Sequence, residues 1–285
     1  EKVYAKVEKS QFKAYRPLLF ETLRAKAGVT EDEFVKSLSP ECLNCLSSDS
    51  KSGQAFWRTL DQTIVVKTIK HYEVKTFVRL MDSYALHVLM GVSMIGNILG
   101  LYRVRTTGKT FYFLVAKNVY PPESVALEKY DLKGSTVGRV AGPSSSVMKD
   151  VNLLRSGSTL GLGPGRAFAL GAVERDSHFL SKFGLMDYSL LVAKERQRMY
   201  AAWRFGDADR PFRSTSAADA GKLVLSGHDG YIYHLGIIDW LQRYTFRKLM
   251  ETLLKSLYCD GKKISCVRPR MYAERMMDFI VGLTT

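Results

Sequence analysis

Apolar positions along this chain follow two periods, and the switches between them mark out its elements. Leu18, Leu19, Phe20 and Leu23 come directly after Pro17, a residue suited to the first turn of a helix because an N–H is not needed there. Thr30 and Glu33 stand at capping-box spacing and open a second short helix, which Pro40 stops. Over residues 54–69 the pattern is that of two strands around Asp61 and Gln62, a hairpin. Val74, Phe77, Met81, Tyr84 and Val88 recur at steps of three and four, which predicts an amphipathic helix from about His71 to Met90. Two strands follow, 98–105 and 110–117, joined at Thr107, Gly108 and Lys109. Tyr120, Pro121 and Pro122 break regular structure, so the expected division is an amino-terminal lobe of residues 1–119 and a carboxy-terminal lobe of residues 120–285.

In the later half, residues 124–130 read as a strand that runs into Asp131, Leu132, Lys133, Gly134, Ser135 and Thr136. Gly134 and the hydroxyls there would let a phosphate approach backbone amides. The glycine-rich stretch 155–166 follows no clear strand and lacks Lys and Ser/Thr after its last glycine, so it is expected to be a flexible linker. A helix over 166–183 ends at Gly184, and a strand over 186–195 is entered through Asp187. Residues 196–228 are polar and suggest an exposed excursion, after which a strand over 231–238 delivers Asp239. Trp240, Leu241, Tyr244, Leu249 and Leu253 continue at helical spacing with cations opposite, and Tyr272, Met276, Phe279 and Ile280 predict a last amphipathic helix.

Composition narrows the partners. The chain has 285 residues, is 46% hydrophobic and carries a net charge of +14, so it has ample core and needs an anionic partner. Nucleic acid is not expected, because the cations cluster without a DNA- or RNA-binding motif. Four cysteines in a chain of this length are not a disulfide scaffold, and no zinc spacing accompanies them, which points to reduced thiols. The most apolar run, 88–101, is too short and too interrupted to span a bilayer.

Lys67 shares a strand face with Val65 and Ile69. Either its stem packs while the amine reaches solvent, or it points into a cleft and holds a phosphate; both stay open at this level. With Asp131, Lys133, Asp187 and Asp239 at strand ends, the chain offers what phosphoryl transfer requires: a cation for donor phosphates, a carboxylate for Mg²⁺ and a group beside the acceptor hydroxyl. The HRD, DFG and APE segments of protein kinases are missing, as is GxxxxGK[ST], so a kinase here is of another kind.

Taken together, DLKGST at 131–136, MDYSLL at 186–191, GIID at 236–239 and YAER at 272–275 resemble the phosphatidylinositol phosphate kinases over nearly the whole chain. The resemblance implies an α+β, two-lobed lipid kinase fold distantly related to protein kinases, with antiparallel sheets, helices and a flat basic membrane-facing surface. It implies ATP and Mg²⁺ as cofactors, Lys67 on the ATP phosphates, Asp187 as the catalytic-loop aspartate, and Asp239 as the Mg²⁺ ligand. Lys133, with Asp131 nearby, would meet phosphate near the acceptor. Ser52 and Gly53 fall in the nucleotide-covering turn, and Ala116, Lys117 and Asn118 in the hinge beside adenine. Glu251 in the activation loop, with YAER, resembles the type I enzymes that phosphorylate the 5-hydroxyl of phosphatidylinositol 4-phosphate, while Arg247 and Lys248 would meet an anionic membrane. The implied location is cytoplasmic, peripheral on the inner face of the plasma membrane, with a homodimer left open. Three departures stand out: the turn SDSKSGQAF holds one glycine, Arg247 and Lys248 with Leu249 next keep the charge but not the exact placement of the paired lysines of type I relatives, and Glu73 is the candidate acidic partner for Lys67 where relatives carry two acids. The alternatives are a catalytically weak scaffold of the same family or a different phosphoinositide preference.

Overall fold

The computed structural model describes residues 2–7, 10–46, 54–120, 126–197, 218–219, 222–244 and 267–285. The chain forms two compact units, Glu1–Gly91 with Gly96–Asn118, and Val92–Ile95 with Val119–Thr285. The first is built on a seven-stranded antiparallel sheet: β1 (Lys2–Val7), β2 (Ser10–Tyr15), β3 (Leu43–Leu46), β4 (Phe56–Thr59), β5 (Ile64–Thr68), β6 (Ile98–Thr106) and β7 (Lys109–Lys117). Their spatial order is β1-β2-β6-β7-β5-β4-β3.

Among the described residues, three α-helices belong to this unit. Helix α1 (Pro17–Lys26) begins at its proline and buries Phe20 and Leu23. Helix α2 (Glu31–Ser37) starts with the expected capping box: Thr30 Oγ1 accepts from the Glu33 amide, and the Glu33 carboxylate accepts from the Thr30 amide at 3.0 Å. Helix α3 (His71–Leu89) buries all five residues of its periodic stripe, each removal from water favouring the fold by about 2 kcal/mol. The Tyr84 hydroxyl also donates to the Gly96 carbonyl and accepts from the Ile98 amide, tying α3 to the start of β6.

The second unit contains a six-stranded sheet ordered β11-β12-β13-β10-β8-β9. Its strands are β8 (Glu128–Leu132), β9 (Met148–Lys149), β10 (Ser189–Arg196), β11 (Ala218–Asp219), β12 (Lys222–Ser226) and β13 (Tyr231–Ile238). All its pairings are antiparallel except β8 with β9. Helices α4 (Asp150–Ser156), α5 (Arg166–Lys182) and α6 (Pro269–Leu283) also belong to it. The segment Val92–Ile95 joins this unit ahead of β6: Ser93 Oγ and the Met94 amide donate to the buried carboxylate of Asp176 on α5, and the Ile237 amide donates to the Met94 carbonyl.

Two expectations are corrected. The glycine-rich stretch 155–166 is packed, with Leu160 and Leu162 buried and Leu160 exchanging main-chain hydrogen bonds with Leu283 and Thr285. Its glycines serve close approach: a Cβ on Gly161 would lie 2.8 Å from Asp229 Oδ2, and one on Gly165 would lie 2.9 Å from Leu225 Cδ2. Residues 222–226, expected in an exposed excursion, form β12 with Leu223, Val224 and Leu225 buried. Among the described residues, no helix is long and apolar enough to cross a membrane.

Candidate active site

Strands β10 and β13 are antiparallel neighbours with Ser189 opposite Ile238, so Asp187, just before β10, and Asp239, just after β13, lie at one end of the sheet. Both adopt left-handed backbone, with φ of 63° and 58°. Aspartate tolerates this region better than most residues, but the conformation still needs support from its surroundings. That support is visible: the Met186 amide donates to the Gln242 carbonyl and the Tyr244 amide to the Gly184 carbonyl, closing residues 184–187 against 242–244. Trp240 and Leu241 are buried beneath this closure while Asp239 is exposed. Residues 239–244 form turns and a bridge, so the helix expected directly after Asp239 does not begin there.

Lys133 follows β8, the other neighbour of β10, with Leu132 opposite Leu190. Its Nζ donates to the Asp187 main-chain carbonyl at 2.7 Å and to Asp187 Oδ1 at 2.8 Å, so the sequence DLKGST meets MDYSLL through these two residues. The pair is partly buried, with side-chain exposures of 17% and 26%, where opposite charges interact more strongly than at a fully solvated surface.

The backbone amides of DLKGST do not await a phosphate. Those of Lys133, Gly134 and Ser135 donate to Asp150 Oδ1 at 2.8, 2.8 and 3.3 Å, and the nest is filled by the protein's own carboxylate. Asp150 is fully buried and takes Arg139 Nε on its other oxygen at 2.6 Å. Gly134, at φ +64°, makes the turn possible, and a Cβ there would approach the Arg275 carbonyl to 3.2 Å. Asp131 accepts from Arg139 Nη2 through both its main-chain oxygen and its carboxylate. Arg139 thus spans the two acids.

Helix α6 supports the same loops from behind. The Tyr272 hydroxyl donates to the Tyr188 carbonyl, and the two rings meet edge to face at 4.6 Å. Burial pushes the Tyr272 phenol far above its ordinary value, so it stays protonated and able to donate. Arg275 Nη2 donates to the Lys133 carbonyl at 3.4 Å, with its guanidinium over the Tyr272 ring. The motif YAER therefore braces the Lys133 main chain through Arg275 and the residue after Asp187 through Tyr272.

Lys67 lies in the first unit, on β5, opposite Phe56 on β4 and Leu114 on β7, and is partly exposed. Glu73 caps its own helix by accepting from the Lys70 amide at 2.7 Å, and also accepts from Gln54. Ala116 and Lys117 pair with Val65 and Ile64 at the end of β7. The Lys117 ammonium donates to the Ala27 carbonyl, and the Asn118 amide group to the Gln62 carbonyl. Ser52, Gly53, Arg247, Lys248 and Glu251 lie outside the described residues.

No group of three or more His, Cys, Asp or Glu side chains among the described residues could hold a metal. The exposed Asp239, at the same sheet end as Asp187, nonetheless suits Mg²⁺, which commonly binds through one or two carboxylates and completes its shell with phosphate oxygens and water. Sequence reasoning missed Asp150 and Arg139. Periodicity does not distinguish a buried acid from a surface one.

A family model described as Phosphatidylinositol-4-phosphate 5-Kinase matches residues 37–221 and 204–282. The chain is similar to phosphatidylinositol 4-phosphate 5-kinase-like protein 1 of Homo sapiens, 30% identical over 295 residues that cover 93% of this chain and 73% of that one. It is also similar to phosphatidylinositol 4-phosphate 5-kinase type-1 alpha of Rattus norvegicus, at 30% over 308 residues covering 95% and 56%. Phosphatidylinositol 5-phosphate 4-kinase type-2 alpha of Sus scrofa is 27% identical over 318 residues, covering 96% and 78%.

Proposed function

Because the chain belongs to the phosphatidylinositol phosphate kinase family, we propose that it is an ATP- and Mg²⁺-dependent kinase making phosphatidylinositol 4,5-bisphosphate from phosphatidylinositol 4-phosphate. The observation that carries this reading is the Lys133 ammonium seated on Asp187, at the same sheet end as Asp239. In the transfer, the 5-hydroxyl oxygen bonds to the γ-phosphorus, the bond from that phosphorus to the bridging oxygen of ADP breaks, and the hydroxyl proton leaves. Asp187 receives that proton through the oxygen opposite Lys133, and Lys133 offers positive charge to the transferring phosphoryl group. Lys67 is assigned to the donor phosphates. Asp239 would hold Mg²⁺, which when bound neutralises phosphate charge.

Selection of the 5-hydroxyl rests on Glu251, and attachment to acidic lipid on Arg247 and Lys248. With a net charge of +14, the chain suits the anionic inner face of the plasma membrane, where we place it as a peripheral protein. Incubation with Mg·ATP and vesicles holding each monophosphorylated phosphoinositide, followed by identification of the product isomer, tests the assignment. The expected product comes from the 4-phosphate lipid and is lost in Asp239→Asn; unchanged turnover in that variant would remove Asp239 from the metal site. The glycine-poor turn SDSKSGQAF favours a second reading, a scaffold that binds nucleotide weakly. Mg·ATP should raise the melting temperature of a kinase and leave that of such a scaffold unchanged.

A further inference from the structure

We propose that Asp150 is a positioning residue that fixes Lys133 in its contact with Asp187; the proposal rests on reading that contact as part of the phosphotransfer site. A lysine side chain is long and flexible, so an ammonium held at 2.7–2.8 Å from two oxygens of one residue requires a fixed main chain beneath it. The Lys133 main chain is held on both sides: its amide donates to Asp150 Oδ1, and its carbonyl accepts from Arg275. Among the described residues Asp150 has four donors, three consecutive amides and Arg139 Nε, and it is fully buried. A carboxylate in such a place is costly unless satisfied in this way, so the loss of those bonds opposes displacement of the turn. Turns of this kind ordinarily receive an anionic ligand. Here the ligand is built in, which removes the amides from substrate binding and turns the loop into a rigid mount for Lys133. The hydrogen bonds of Asp150 go to the amides of residues 133–135 and to Arg139, not to Asp187 or the ammonium, so its influence passes through the backbone.

The test compares the full chain with Asp150→Asn, which preserves shape and one acceptor oxygen but removes the charge facing Arg139. The first measurement is the acylation rate of Lys133 by N-hydroxysuccinimidyl acetate, read by peptide mass spectrometry, with the exposed Lys182 as internal reference. Lys133 should react about tenfold faster in the variant, the scale of one lost hydrogen bond to a charged group, with Lys182 unchanged. The second measurement is turnover with Mg·ATP and phosphatidylinositol 4-phosphate vesicles. Here kcat should fall by about 100-fold, as for a misplaced reacting group, while KM for ATP stays within about twofold.

An unchanged Lys133 rate overturns the proposal, whether or not activity falls, and so does an equal rise at Lys133 and Lys182, which would mark general loosening. If the native chain phosphorylates no phosphoinositide while Lys133 still becomes selectively reactive, the positioning role stands and the kinase reading fails. Should Asp150→Asn not fold, Gly134→Ala displaces the same turn with Asp150 intact, because its Cβ would press on the Arg275 carbonyl and Met276 Cα at 3.2 and 3.4 Å. Selective reactivity of Lys133 is again expected, and an unchanged rate again overturns the proposal.

Discussion

Glu195 on β10 and His234 on β13 face each other inside the second sheet, both shielded from solvent, with Oε1 2.6 Å from Nε2. Burial pushes the Glu195 carboxyl up to about 8, against the opposing pull of Lys222. Burial, reinforced by Lys222, holds His234 well below its ordinary 6.5. The folded pair therefore carries one proton up to about pH 8. Unfolded, the same two residues carry one proton between pH 4.5 and 6.5, on histidine, and none above. Folded and unfolded states match in the lower window, so the pair leaves stability level there. From pH 6.5 to 8 only the folded state keeps its proton, and stability declines as pH rises, by about 2 kcal/mol over the interval. Glu195→Gln keeps a polar partner for the imidazole but has no proton to lose, so this decline should vanish. Urea unfolding followed by circular dichroism, for both proteins at pH 6.5 and 8.5, measures it: the variant should gain about 2 kcal/mol on the native chain between the two pH values. All other titrating groups are common to both proteins and cancel in the comparison. An equal difference between the proteins at both pH values would refute the buried-proton account.

Tyr272→Phe should destabilise the fold by about 1–3 kcal/mol, because the ring remains while the buried Tyr188 carbonyl loses its donor; urea unfolding at pH 7 reads this, and an unchanged midpoint would contradict the brace. Arg247→Glu combined with Lys248→Glu should weaken sedimentation with acidic vesicles by more than the ~1 kcal/mol that each cation supplies at such a surface. Equal binding to neutral and acidic vesicles by the native chain would count against that membrane contact. Glu251→Ala should shift preference toward phosphatidylinositol 5-phosphate, seen by isomer-resolved chromatography of the product.

Elements set by local rules were legible in the sequence. The capping box of Thr30 and Glu33, the five-residue stripe of α3 and the strand that leads into Asp239 all depend on neighbours within a few positions, and all are present. Residues whose surroundings come from distant segments were not legible. Asp150 reads as an ordinary acid at a helix start, yet its donors come from residues 133–139. The glycines at 161 and 165 suggested a flexible linker, because the side chains of Asp229 and Leu225 that crowd them are far away in sequence. Of the candidate site, Lys133, Asp187 and Asp239 were identified by motif, and the structure adds the contact between the first two and the shared sheet end of the last two.

The four residues Val92–Ile95 decide how this protein can be taken apart. A fragment ending at residue 118 would carry Met94 and Ile95, both fully buried in the intact chain, without Asp176 or Ile237 to receive them. The complementary fragment would hold Asp176 at the centre of α5 stripped of two donors. One would present sticky apolar surface and the other an internal acid short of two donors, so neither is suited to separate expression. A dissection that respects the connectivity would graft a copy of residues 92–95 onto the carboxy-terminal piece and replace them by a polar linker in the other.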